Sequence, residues 1–174
     1  MIILASKSKV RREILEKNNI KCKVITSNID EEPIKKSLVN EGASPELISK
    51  NLAEVKAVKV SSQNENQMVL GADSVIDLQN TIISKPKDRA EALEILKKLN
   101  GRKHYLISSV SIAKNGSMIW NHTDRAELTM KEFKENELKE YLSKISDEKL
   151  FAYNVYQIED KGRSLFAKID GDEN

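Results

Sequence analysis

The sequence predicts an α/β protein. Short apolar runs alternate with stretches of helical periodicity, and Asn115-Gly116 joins two long alternating segments as a hairpin turn would. No repeat, linker or low-complexity tract breaks the 174 residues, so one domain is expected.

The elements follow in order. Met1 to Ala5 is a short apolar strand bounded by the polar Ser6-Lys7-Ser8, after which Val10, Ile14 and Leu15 recur at helical spacing. Lys21 to Ser27 alternates as a second strand, and the acidic stretch Asp30-Glu31-Glu32-Pro33 then breaks it, which predicts a surface loop. From Ser44 to Ser61 a stripe of Leu47, Ile48, Leu52, Val55 and Val58 marks a helix, with Ser44 as cap and Pro45 in its first turn. Met68 to Ala72 predicts a buried strand that ends at Asp73, and Val75 to Ser84 a strand pair turning at Gln79-Asn80.

Asp88-x-x-Glu91 has capping-box spacing, and Leu93, Leu96 and Leu99 carry the helix to Gly101. His104 to Ala113 and Ser117 to Met130 are partner strands. Leu138, Tyr141, Leu142 and Ile145 predict a last helix, and Tyr153 to Ile158 and Ser164 to Ile169 closing strands.

Composition excludes several classes. Lys and Arg number 29 against 27 Asp and Glu, and a net charge of +2 does not imply nucleic acid as partner. No apolar run approaches the ~18 residues of a membrane span, and the apolar opening is too short for a signal peptide, so a cytoplasmic protein is expected. The lone Cys22 forms no internal disulfide, and His104 and His122 lack zinc-site spacing.

The chemistry concentrates in a few places. In Ser6-Lys7-Ser8-Lys9-Val10-Arg11-Arg12, cations crowd a helix start, where they oppose the helix dipole. An anion between them would reconcile the two, with backbone N–H groups and the Ser6 and Ser8 hydroxyls on phosphate oxygens and a two-pronged contact from Arg11. Asp30, Glu31 and Glu32 repel one another unless water or a divalent cation screens them. Asp73, a lone carboxylate at the end of an apolar strand, stands where open α/β sheets place ligand crevices and suits Mg²⁺ or water activation. Lys56 and Lys85 have the reach for a polyphosphate, although for one cation among 29 a solvated position is the default. His104, Tyr153, Tyr156 and Phe166 read as core residues. Neither common nucleotide-binding glycine loop is present, and there is no G-x-S-x-G elbow.

Taken in order, the chain resembles the Maf-like family of nucleoside triphosphate pyrophosphatases. The likeness is carried by Leu4-Ala5-Ser6-Lys7-Ser8 with Arg11-Arg12, Asp30-Glu31, Leu52-Ala53 with Lys56-Ala57, and Gly71-Ala72-Asp73-Ser74-Val75. It continues through Lys85-Pro86, Gly101-Arg102 with His104, Glu127 and Tyr156-Gln157-Ile158-Glu159, spanning Ile3 to Asp172. The resemblance implies hydrolysis of a modified or non-standard nucleoside triphosphate to monophosphate and pyrophosphate with Mg²⁺ or Mn²⁺, as a housecleaning reaction. It implies an elongated mixed sheet with helices, in two lobes around a central cleft, similar to the inosine triphosphate pyrophosphatases, and a homodimer in many members.

By the same resemblance Ser8 and Arg11 match the phosphate loop, Glu31 the acidic site residue and metal ligand, Lys56 and Lys85 the basic site residues, and Asp73 the general base and second metal ligand. Gln157 falls in the motif at the base-binding end, and Tyr156-Gln157-Ile158-Glu159 leans toward 7-methyl-GTP over dTTP and UTP.

The chain departs from the family pattern in places. Lys9 and Val10 replace a usual Pro and Arg, Ser74 and Ser108 stand where Thr is usual, and Asn154 stands at a position usually Gly. After Gly171-Asp172 relatives continue into a strand and closing helix, so a domain over 1–174 without those elements is expected. The rival class is a non-catalytic nucleotide-binding or cell-division regulatory protein, which would keep the pocket without turnover. An RNA-binding module ranks far below, for want of a basic stripe interleaved with aromatics.

Overall fold

Helix α1 (Lys9–Lys17) follows strand β1 (Ile2–Leu4), and Ser8 caps it by accepting from the Arg11 amide. The computed structural model describes residues 1–158 and 160–171, so Glu159 and Asp172 of the motif lie outside the described residues. The remaining elements are β2 (Cys22–Val24), α2 (Glu31–Asn40), α3 (Pro45–Ser61), β3 (Val69–Leu78), β4 (Thr81–Ile83), α4 (Arg89–Leu99), β5 (Lys103–Lys114), β6 (Ser117–Met130), α5 (Glu135–Ser143), α6 (Asp147–Tyr153) and β7 (Phe166–Asp170). A 3₁₀ turn over Lys161–Leu165 leads into β7. The strands form a mixed sheet in the order β2-β1-β3-β5-β6-β7, with β4 paired to β3.

The chain divides into two compact units. The first holds Met1–Ser74 and Ile107–Asp124, the second Val75–Leu106 and the residues from Arg125 onward. In the first, β1 lies parallel to both β2 and β3, as strands joined through helices must. Ile3, Ala5, Val60 and Val69 are buried together there, with Ile25 packed against them. Ser44 caps α3, with Pro45 in its first turn.

α3 lies tight on β3 because Gly71 has no side chain. A Cβ on Gly71 would run into the Ala53 carbonyl and come within 2.8 Å of the Ala57 amide nitrogen. Asn115 and Gly116 both have positive φ, as a two-residue hairpin turn requires, and the Gly116 amide donates to Ser61 Oγ at the end of α3.

The second unit has its own core, in which Leu96, Leu99, Leu128, Leu138 and Leu150 are fully buried. Asp88 caps α4 by accepting from the Glu91 amide, but the reciprocal half of the expected capping box is displaced by one residue: the Glu91 carboxylate accepts from the Lys87 amide and not from that of Asp88. β6 and β7 pair antiparallel, Glu127 opposite Asp170. His104, Tyr156 and Phe166 are core residues here, with His104 Nε2 3.0 Å from the Tyr156 hydroxyl. Burial lowers His104 to about 4 and pushes the Tyr156 phenol up, so both stay neutral near pH 7.

The structure corrects three expectations. Asp30-Glu31-Glu32-Pro33 is the start of α2 and not a loop: Asp30 caps it, and the two glutamates sit in the first turn where the helix dipole favours them. Asp73 does not end a strand, since β3 runs unbroken from Val69 to Leu78. Tyr153 to Ile158 is not a strand, because α6 ends at Tyr153 and Asn154 turns the chain at φ 71°, ψ −165°, a region nearly confined to glycine. Asn154 holds that turn by accepting from the Val155 amide and donating to the Ser84 carbonyl.

Candidate active site

β3 outruns β1, and the site forms where β1 stops. The Ile3 and Ala5 amides donate to the carbonyls of Met68 and Leu70, so alternate carbonyls of β3 face β1. Ala72 presents the next such carbonyl, two residues beyond the last ladder bond, and two cations take it. Arg11 Nη1 donates to the Ala72 oxygen at 2.8 Å, and Lys56 Nζ approaches it at 3.5 Å. A buried carbonyl left without a donor is costly, which ties both side chains to one spot.

Lys56 also bonds Asp73 Oδ1 at 2.8 Å and Glu31 Oε1 at 2.9 Å. Lys56 and Asp73 are buried, while Glu31 is about one-third exposed. The ammonium thus holds two carboxylates, from α2 and β3, that would otherwise repel. The solvated reading of Lys56 is wrong: it lies on the buried stripe of α3, one residue from the helix's close approach to Gly71. Asp73 Oδ2 is buried and has no hydrogen-bond donor among the described residues, so its lone pairs are open to a proton or a cation.

Ser6 Oγ accepts from both the Ser8 amide and Arg11 Nη1, each at 3.2 Å, and Ser8 Oγ accepts from the Arg11 amide. Each hydroxyl acts as acceptor towards Arg11 and keeps its own proton for donation. Ser6, Ser8, Arg11, Glu31, Lys56 and Asp73 are therefore brought together within the first unit. Lys85 and Gln157 belong to the second. Lys85 is exposed after β4, and Gln157 lines a small open pocket with Tyr141, Lys149, Tyr156 and Asp160.

Three site residues escape the sequence reading. The Ser49 hydroxyl donates to the Asp73 carbonyl, and Ser74 Oγ lies between Arg11 Nη2 at 3.4 Å and Ser108 Oγ at 3.0 Å. Ser49 carries a signal, being a polar residue seven positions before Lys56 on an otherwise apolar stripe. Ser74 and Ser108, marked in the sequence only as departures from the family's usual Thr, meet through strand pairing, and nothing local shows that they would pair.

The Maf-like protein family model matches residues 1–174. The chain belongs to this family. It is 62% identical over 173 residues to a nucleoside triphosphate pyrophosphatase of Pelagibacter ubique, a match covering 99% of this chain and 89% of that protein. It is 36% identical over 171 residues to a 7-methyl-GTP pyrophosphatase of Brucella abortus, covering 98% and 86%. A HAM1 protein structure from Coxiella burnetii superposes with a TM-score of 0.50 at 16% identity, over 74% of this chain and 72% of that one, which shows the shared α/β fold. The Maf-like motifs around Ser6, Arg11, Glu31, Lys56 and Asp73 are thus one spatial cluster, and its charges set what it can bind.

Among the described residues no group of three or more His, Cys, Asp or Glu is placed to hold a metal. The donor set is two carboxylates with one orphaned oxygen, Asp73 Oδ2. Such a hard, incomplete set fits Mg²⁺ or Mn²⁺ whose other ligands are phosphate oxygens and water, and does not fit a dedicated protein cage.

Proposed function

We propose that this Maf-like protein hydrolyses a nucleoside triphosphate to its monophosphate and pyrophosphate. The observation that carries the reading is the meeting of Arg11 and Lys56 on the Ala72 carbonyl, with the Asp73 carboxylate on the next residue. A triphosphate is heavily anionic and water is a poor nucleophile, so the reaction needs fixed cations and a carboxylate beside them.

In this reading Arg11 and the loop hydroxyls of Ser6 and Ser8 bind phosphate oxygens. Lys56 holds Asp73 aligned, and Asp73 Oδ2 orients water and takes its proton as the oxygen attacks the α-phosphorus. The bond from that phosphorus to the bridging oxygen breaks, and pyrophosphate leaves. Glu31 and Asp73 would hold the divalent ion, which when bound neutralises phosphate charge. The roles of Lys85 towards phosphate and of Gln157 towards the base rest on the family resemblance. A housecleaning role, a 7-methylated guanine base and a homodimer are supported by the same resemblance, and the base also by the Brucella abortus relative.

The test is pyrophosphate release from a panel of nucleoside triphosphates that includes 7-methyl-GTP, with and without Mg²⁺. Turnover that needs the metal and falls about 10²- to 10⁴-fold in a folded Asp73→Asn variant is the expected result. Release from no nucleotide, or wild-type turnover by Asp73→Asn, would contradict it.

A further inference from the structure

We propose that Ser108 is a positioning residue for Arg11, acting through Ser74. The inference rests on the phosphate-binding role given to Arg11 above. A guanidinium only donates hydrogen bonds, so at the Arg11 Nη2 contact Ser74 Oγ is the acceptor. Accepting from a cation makes the Ser74 hydroxyl a stronger donor in turn, and Ser108 Oγ lies 3.0 Å away on β5, the strand beside β3. Ser74 thus has its own proton available for Ser108 Oγ, and the proposed relay runs from Arg11 to Ser74 to Ser108.

The two ends of the Arg11 fork are held differently. Nη1 is fixed by Ser6 Oγ and the Ala72 carbonyl, while the Nη2 contact to Ser74 is long and solvent-exposed. Ser74 is itself free to rotate unless its hydroxyl has a partner, and Ser108 Oγ, 3.0 Å away in an equally exposed contact, supplies one. A fork held at both ends presents its plane to phosphate before binding, and the ordering cost of a long side chain is then not charged against affinity. Ser108 thus serves the site without touching the reacting atoms.

The experiment measures binding of inorganic triphosphate by calorimetry, a readout that requires no turnover. Ser108→Ala is expected to weaken binding about tenfold, and Ser74→Ala to do the same. Ser108→Thr, which keeps the hydroxyl, should stay within about twofold of wild type. The decisive comparison is Arg11→Gln against Arg11→Gln/Ser108→Ala: with the guanidinium gone, loss of the Ser108 hydroxyl should change nothing further. A merely structural role would instead persist in the Arg11→Gln background. Equal binding by wild type and Ser108→Ala, or fully additive losses in the double variant, would overturn the inference. Failure of wild-type protein to bind triphosphate at all is a different result, and would overturn the phosphate-site reading beneath it.

Discussion

Lys56 Nζ is within 3 Å of two carboxylates and is itself buried, so its charge is needed where it stands. Lys56→Met would keep the stem and leave Asp73 and Glu31 facing each other without a cation. Removing one partner of a buried ion pair costs about 3–5 kcal/mol, and a urea midpoint lowered by that energy divided by the m-value is expected. Adding Glu31→Gln should recover part of the loss, because it removes the charge repulsion between the two side chains while leaving Asp73 without its cation. Recovery would show that the two carboxylates are coupled through Lys56 and not merely neighbours.

His104 makes a separate, pH-dependent contribution. Its folded value is lowered from 6.5 to about 4 by burial, so the unfolded chain binds a proton that the folded protein refuses. That contribution is fully present above pH 6.5 and is lost as pH falls towards 4, amounting to about 3 kcal/mol at the acid end. Glu127, held below the usual carboxylate range chiefly by its bond to Lys103, contributes in the same direction, but only from about pH 4.5 downward. Chemical denaturation between pH 7 and 4.5 should show falling stability in the wild type and a flatter profile in His104→Gln. Parallel profiles would mean that His104 is not the group titrating.

At the scale of elements, the crossing of α3 over β3 sets the distance from Lys56 to Asp73. Gly71→Ala places a methyl group against the backbone of Ala53 and Ala57, which no rotamer can avoid. The expected cost is about 1–3 kcal/mol of stability. Turnover should fall by more than stability predicts, because Lys56 moves with Ala57. A variant that unfolds at the wild-type midpoint with normal activity would show that this close approach does not set the site.

Elements with strong local signals were legible in the sequence. The Asp88 cap of α4 and the Asn115-Gly116 turn stand where spacing put them. α2 was not, because three adjacent acids read as mutual repulsion when two of them complement a helix N-terminus. α6 was missed because its seven residues bury only Leu150, too little for a periodic stripe. Asp73 looked like a strand end because the apolar run pauses there, yet the pause marks the end of β1's partnership and not of β3.

At the scale of the whole molecule, the site was legible as residue types in order, from Ser6 and Arg11 through Glu31 and Lys56 to Asp73. What joins them was not, since Arg11 meets the Ala72 carbonyl and Ser74 across 61 and 63 positions, and Ser74 meets Ser108 on the neighbouring strand across 34. The two units are likewise discontinuous in sequence, because β3, β5 and β6 each contribute residues to both. No helix among the described residues is long and apolar enough to cross a membrane.

The central claim is that Asp73 directs water to the α-phosphorus. Hydrolysis of a nucleoside triphosphate in ¹⁸O-enriched water, followed by mass spectrometry of both products, tests it most directly. The account predicts one heavy oxygen in the nucleoside monophosphate and none in pyrophosphate. Label in pyrophosphate would place the attack on the β-phosphorus and contradict it.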